Sequence, residues 1–303
     1  MRWRDVLSII KQIYKISFTV IIAASIVPNN SSATPNQSTS TALKGWDYLA
    51  QKLIAEGIPS AQVKAAYSDP RIPPMEYISF RLAPKEPSDI YSGFSAPKKI
   101  SVARAFIEKY RQPLELAERH FGTSKEGIVG ILLVETHFGK NTGKEFIFYR
   151  LSRLANLRDP KNVYRNYQEL KKYDSTVTHA AVEDRAKYLW NTFFPEVVAT
   201  FRISSQRKFS PFTIKGSSAG AFGIPQFLPT SFLKFGLDGN SNGIVSLFEE
   251  EDAIFSVAKY LSQHGWTKGA SHAERKKAIW AYNKSEPYVN TILKITHLLQ
   301  ENK

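Results

Sequence analysis

The chemistry of this sequence centres on Glu135, the one carboxylate in the stretch from Ile128 to Gly139, among Val129, Ile131, Leu132, Leu133 and Val134. Ile128, Ile131, Leu132 and Glu135 follow the i, i+3, i+4, i+7 rule, so a helix here sets the acid on the aliphatic stripe. Burial disfavours the charged form. A carboxyl held there stays protonated nearer neutral pH and can give its proton to a leaving oxygen. The pattern alone also admits a helix-end carboxylate paired with Lys or Arg, or one turned out to water. Thr123 and Glu126 have the spacing of a capping box that would start the helix, and Gly139 is expected to stop it.

Three other constellations carry chemistry. From Gly216 to Pro229, three glycines and two alanines let the backbone approach a partner closely, and Pro225 favours an extended residue before it. Gln226 offers both donor and acceptor, suited to sugar amides and hydroxyls, and Phe227 offers an apolar face; the other reading is a flexible connector. Neither phosphate-binding nor dinucleotide fingerprints fit it. From Asp238 to Glu249, oxygen side chains fall at loop positions 1, 3, 5, 9 and 12 (Asp238, Asn240, Asn242, Ser246, Glu249), with glycine at position 6 and the Ile244 carbonyl at position 7. That is the spacing of an EF-hand calcium loop. With only Asp238 and Glu249 charged, binding should be weak and structural. Ser246 and Glu249 also read as a capping box for the next helix. Finally, Tyr282, Asn283 and Tyr288 sit at a helical corner, where two phenols and an amide could converge on one cleft or simply pack as core aromatics.

The elements that must position these groups read as mainly α. Helical patterns run over 45–56, 60–67, 102–111, 114–121, 125–138 and 145–157. Another runs over 178–194, with Pro195 expected to break it ahead of a basic loop through Arg202, Arg207 and Lys208. Further patterns cover 231–235, 249–264, 274–283 with Ser271 and Glu274 as a capping box, and 288–299. Residues 69–96, crowded with proline and aromatics, are expected to be irregular or to hold short strands.

The 303-residue chain carries 41 Lys and Arg against 27 Asp and Glu, a net charge of +14 and a pI near 9.7, which favours a polyanionic partner. Arg2, Arg4, Lys11 and Lys15 precede an apolar run from Ile16 to Val27 and a small-x-small site at Ser31 and Ala33. Residues 1–33 therefore read as an export signal or an N-terminal anchor, with membrane anchoring through 1–27 in the second case; 34–44 form a tether and 45–303 the catalytic region. Without cysteine, disulfides and thiolate chemistry are excluded.

Taken together and in order, these motifs resemble the B-type lytic murein transglycosylases, exported enzymes that cleave peptidoglycan. The resemblance runs from about Ala117 to the C-terminus. It rests on Val134, Glu135 and Thr136 with Phe138 and Gly139, on Gly216 and Ser217 through Gln226 to Pro229, on the Asp238 loop, and on Tyr282, Asn283 and Tyr288. It implies a lysozyme-like (α+β) core with an additional helical subdomain and an EF-hand-like loop. Glu135 would be the single catalytic acid; Ser217, Gln226, Phe227, Tyr282, Asn283 and Tyr288 would line the glycan groove. Asp238, Asn240, Asn242, Ile244, Ser246 and Glu249 would hold a structural Ca2+, with no cofactor for catalysis.

The partners implied are peptidoglycan glycan strands and no nucleic acid, for a monomer in the periplasm or cell envelope. Pro225 departs from the family, which has glycine there, and Arg158 to Lys161 match its basic pair only loosely. Most glycosidases need two carboxylates, yet Glu126 would lie about 13 Å back along the helix from Glu135. As the resemblance implies, Glu135 protonates the bond between N-acetylmuramic acid and N-acetylglucosamine, and the 2-acetamido group stabilises C1. Glu135 then deprotonates the C6 hydroxyl, which closes a 1,6-anhydro ring. A muramidase that hydrolyses the same bond and a non-catalytic peptidoglycan-binding protein are the alternatives.

Overall fold

The computed structural model describes residues 43–84, 87, 89–207 and 212–301. The expected signal and most of the tether lie outside the described residues, as do Lys208 and the chain's last two positions. Within the expected 45–303 region the chain divides into two compact units.

The unit built from 87–144 and 215–301 holds α3 (Pro97–Lys109), α4 (Arg111–Phe121), α5 (Lys125–Thr136), α9 (Pro229–Phe235), α10 (Glu250–Gln263), α11 (His272–Tyr282) and α12 (Glu286–Gln300), with a 3-10 turn at Ser92–Ser95. Its axis is α5, buried at every position from Glu126 to Thr136 and packed against α3, α4, α10 and α12. Gly127 lets the Trp266 ring lie against α5: a methyl there would fall 2.5 Å from the indole. Burying Ile128, Val129, Ile131, Leu132, Leu133 and Val134 at roughly 1.5–3 kcal/mol each outweighs the cost of carrying an acid into the same helix.

Both ends of α5 differ from expectation. Ser124, not Thr123, is the N-cap and accepts from the Gly127 N–H at 3.3 Å; Thr123 points inward and donates to the carbonyls of Ala258 and Trp266. The helix stops at Thr136, ahead of Gly139, because His137 and Phe138 themselves turn left-handed, at φ 57° and 58°. Thr136 and the Phe138 ring hold this turn, the ring stacking on Phe106 at 4.1 Å. The Ser271 capping box forms as read. The Ser246–Glu249 box does not: Glu249 is the N-cap of α10 without side-chain capping, and the Ser246 N–H goes to Asp252 instead.

The second unit, from 43–84 and 145–214, holds α1 (Asp47–Ala55), α2 (Ser60–Ser68), α6 (Ile147–Ala155), α7 (Pro160–Tyr173) and α8 (His179–Arg207). Helix α7 is absent from the sequence reading, although Asp159 at the N-cap and Pro160 at the first position are its start signal. Helix α8 passes through Pro195 without stopping, so Arg202 and Arg207 are helical. Its apolar stripe continues through Leu189, Phe193, Val197 and Phe201 and packs on α6. Burial of the later residues offsets the roughly 3 kcal/mol cost of an internal proline.

The proline-rich 69–84 segment shows no strand among its described residues. Side-chain amides of α7 take the place of a strand partner: Asn162 and Asn166 bond the backbone of Ile78 and Phe80 at 2.9–3.2 Å. Trp46 stacks on Tyr67 at 5.4 Å, and the Tyr67 hydroxyl meets Ser152 at 2.9 Å.

Candidate active site

The site lies wholly within the first unit. Glu135, on the last turn of α5, is 1% exposed. The Tyr288 hydroxyl, from the first turn of α12, donates to Glu135 Oε1 at 2.5 Å, and Tyr288 is equally buried. The packing of α12 on α5 brings the two together across 153 residues of chain, with Ser285 capping α12 through the Tyr288 N–H. Tyr282, at the end of α11, stacks on Tyr288 with centroids 6.5 Å apart and donates its hydroxyl to the Pro225 carbonyl.

Burial first, and then the charge of Glu135, hold both phenols well above the ordinary tyrosine range. Both therefore keep their protons as donors throughout the neutral range. Among the described residues, Glu135 is the one carboxylate whose charge reaches these tyrosines.

The 216–228 loop is a hydrogen-bonded double turn, not an open connector. Ser217 and Ala221 pair through Ser217 N–H to Ala221 O at 2.8 Å, and Phe222 and Phe227 exchange both backbone bonds. Thr136 ties this loop to the acid's helix, donating to Ile224 O at 2.7 Å while accepting from the Gly139 N–H. The departure at Pro225 does not disturb the loop, because the residue is used through its carbonyl and the N–H that proline lacks is not called upon. Gly143 is forced: its φ is +93°, and a Cβ there would fall 2.0 Å from the Gly216 carbonyl oxygen.

Gln226 takes a left-handed backbone, φ 50°, and its Nε2 donates to the carbonyls of Thr142 and Gly223, which leaves Oε1 to meet a donor. Asn283 donates to the Tyr91 hydroxyl at 3.4 Å, and the Ser217 hydroxyl accepts from the Ala221 N–H. Phe227 packs inside a ring cluster with Phe235, Tyr260 and Tyr282 and supports the loop from behind.

Tyr91 is the residue that sequence reasoning missed. Its ring meets Tyr288 edge-on at 5.4 Å, yet it lies in a stretch without periodicity. Asp252 was missed as well. It is fully buried and accepts from Gly239 and Ser246, which anchors the Asp238 loop; burial raises its carboxyl above the usual range, against the opposing backbone bonds.

In that loop Asp238 accepts from the N–H groups of Asn242 and Gly243, and the Nδ2 atoms of Asn240 and Asn242 both converge on Glu249 Oε2, at 2.5 and 3.1 Å. Loop positions 3, 5 and 12 thus meet at one point, where two amide dipoles supply positive charge to Glu249. The oxygens of the same two amides accept from the Asn242 and Ile244 N–H groups at 3.0 and 2.8 Å, so a hard cation here would draw first on the carboxylates of Asp238 and Glu249. Ser246 contributes its N–H to Asp252, and Ile244 is exposed. Among the described residues no three His, Cys, Asp or Glu side chains gather as a metal site, so this loop has only two carboxylates to offer.

The transglycosylase SLT domain family matches residues 42–277, most of the chain; the end of α11 with Tyr282, and all of α12, lie beyond the match. The chain belongs to this family. Membrane-bound lytic murein transglycosylase B of Escherichia coli (strain K12) is 31% identical over 176 residues, 58% of this chain and 41% of that enzyme, so the match spans less than half of the relative's length. Soluble lytic transglycosylase SltB1 of Pseudomonas aeruginosa has the same fold, with a TM-score of 0.62 at 21% identity over 84% of this chain and 98% of that one. SltB3 of Pseudomonas aeruginosa, solved with NAG-anhNAM-pentapeptide, superposes with a TM-score of 0.61 at 16% identity over 87% of this chain and 80% of that one. As in other members of the SLT family, the fold is mainly α and lysozyme-like. No helix among the described residues is long and apolar enough to cross a membrane.

Proposed function

We propose that the protein is a lytic transglycosylase that cleaves the β-1,4 bond between N-acetylmuramic acid and N-acetylglucosamine in peptidoglycan, with Glu135 as acid and then base. One observation carries this reading: a buried carboxyl at the end of a wholly buried helix is bonded by a phenol that cannot itself ionise near neutral pH, and it is the charge of Glu135 that helps hold that phenol protonated. Glu126, the nearest acid on α5, sits nine residues back on the same unbroken helix, about 13 Å away.

In the first step the Glu135 proton passes to the glycosidic oxygen, the bond from C1 to that oxygen breaks, and the acetamido oxygen bonds to C1. In the second, the Glu135 carboxylate takes the proton of the C6 hydroxyl; O6 displaces the acetamido oxygen at C1, which closes the 1,6-anhydro ring and restores the acid. Water does not enter the balance. Tyr288 stabilises the carboxylate that exists between the two steps. Ser217, Gln226, Tyr282 and Asn283 orient the sugar, with Phe227 as their support. The relative named as membrane-bound, together with the sequence of residues 1–33, supports a place in the cell envelope and export.

Asp238, Asn240, Asn242, the Ile244 carbonyl, Ser246 and Glu249 are the residues we assign to calcium. Bound there, the ion would supply charge that fixes the loop preceding α10, and no step of the reaction passes through it. Glu135→Gln tests the acid: release of anhydro sugars from purified peptidoglycan should fall by several orders of magnitude with the melting temperature kept. Intact release from this variant would refute the assignment.

A further inference from the structure

Tyr282 is 8% exposed, and its hydroxyl donates to the Pro225 carbonyl. A phenol has one proton to donate, so this one is committed inside the protein and is not offered to a sugar. Burial first, and then the charge of Glu135, hold the phenol well above its ordinary range, so the bond persists throughout the neutral range. What the bond holds is the peptide between Pro225 and Gln226, whose N–H belongs to Gln226 itself.

That peptide is fixed at both polar ends. Its oxygen accepts from Tyr282, and its N–H bonds the Gly223 carbonyl at 3.2 Å. The preceding residue is fixed as well: the Ile224 N–H bonds Leu247 O at 2.7 Å, and Ile224 O accepts from the Thr136 hydroxyl at 2.7 Å. The proline ring locks its own φ at about −65°, so ψ is the one soft torsion of Pro225, and the Tyr282 bond sets it. Gln226 follows with φ 50°, in the left-handed region that a residue with a Cβ rarely adopts. In that conformation its Nε2 reaches the carbonyls of Thr142 and Gly223, at 3.1 and 2.9 Å, and Oε1 is the group left for a sugar.

These bonds form one relay from the end of α11 to Gln226. Released by Tyr282, the peptide can turn about ψ of Pro225, and Gln226 can leave the left-handed region, which carries Nε2 off its two carbonyls and moves Oε1 with it. Resting on the activity assigned above, we propose that Tyr282 is a positioning residue: its hydroxyl orients the sugar through Pro225 and Gln226, without touching it. Pro225 belongs to the device, because a residue without the ring would leave φ free as well as ψ.

The test is a double-substitution cycle read as affinity. Full-length Glu135→Gln protein is titrated with a tetrasaccharide of alternating N-acetylglucosamine and N-acetylmuramic acid. Tyr282→Phe keeps the ring against Phe227, Tyr260 and Tyr288, so the fold should hold. Affinity should fall roughly tenfold, the upper range for one neutral hydrogen bond. Gln226→Gly removes the side chain and accepts the left-handed backbone whether or not Tyr282 holds the peptide. In that background Tyr282→Phe should change affinity by less than about twofold, because effects within one relay do not add. Pro225→Ala should weaken binding with Gln226 present and not with Gln226→Gly. With Glu135 intact, Tyr282→Phe should raise KM about tenfold and leave kcat and the pH profile where they are.

An effect of Tyr282→Phe that is the same with and without the Gln226 side chain would mean that the phenol meets the sugar itself, and would overturn the proposal. Unchanged affinity on Tyr282→Phe with Gln226 present would overturn it too, as would a displaced pH profile. No binding of the tetrasaccharide to the Glu135→Gln protein would remove Gln226 as a sugar contact and the proposal with it. Failure of the unsubstituted protein to release anhydro sugars would count against the activity alone, because the titration does not depend on turnover.

Discussion

Replacing Tyr288 with phenylalanine removes one hydroxyl and keeps the ring, so contacts with Tyr91 and Tyr282 at 5.4 and 6.5 Å remain and the fold should hold. What is lost is the 2.5 Å bond to Glu135 Oε1, in a place where water does not replace it. A hydrogen bond to a charged group contributes about 1.5–3 kcal/mol. Glu135 bears its charge only after giving up its proton, so this loss falls mainly on the transition state and the intermediate, a factor of roughly 10 to 150 in kcat.

The profile should also move. Without its donor the carboxylate is less favoured, so Glu135 keeps its proton to higher pH and the alkaline limb of the rate profile, where the acid is lost, shifts toward higher pH. Tyr288 does not titrate near neutral pH, being held far above the ordinary range by burial and by Glu135, so the shift reports on the acid alone. The assay is the initial rate of anhydro-sugar release from purified peptidoglycan between pH 4 and 8 (a range of about four units, chosen around the carboxylate range), alongside a melting curve. A Tyr288→Phe enzyme with full kcat and an unmoved alkaline limb would refute the reasoning.

His137 is held below its usual range by burial, Lys99 and Lys140, so the unfolded chain takes up a proton before the folded one as pH falls. Its contribution is intact above the unfolded value of about 6.5 and is lost as pH drops through that value toward the folded one. His137→Asn, which tolerates the left-handed backbone, should therefore flatten the fall in stability measured by urea unfolding below that pH; an unchanged slope would count against it. If calcium binds the Asp238 loop with millimolar affinity, a tenfold excess over Kd should stabilise the chain by about 1.4 kcal/mol, read as a raised melting temperature that chelator or Asp238→Ala abolishes. Melting curves insensitive to calcium would remove the metal from the account.

The acid was legible because one carboxylate interrupted an unbroken aliphatic pattern, a local signal that burial of the whole helix then bore out. Tyr282, Asn283 and Tyr288 were legible from their position at a helical corner, and Ser271 from its capping chemistry. Other features depended on contacts distant in sequence. Tyr91 follows a proline-rich stretch without periodicity, Asp252 looks like an ordinary acid in a first turn, and Ser124 replaced Thr123 as cap because Thr123 had carbonyls to bond on another element. Pro195 misled because local cost was weighed without the packing of α6 on α8, which continues past the proline with Phe148 against Phe201. Helix α7 is a different case: Asp159 and Pro160 announced it, and its amides, not a strand, order the segment around Ile78.

The most direct measurement is digestion of purified peptidoglycan in oxygen-18-enriched water, with the products resolved by mass. Every new muramyl end should carry an internal anhydro ring and no label, since O6 of the sugar itself replaces the departing oxygen. Labelled reducing ends would mean that water completes the reaction and that the single-acid route is wrong.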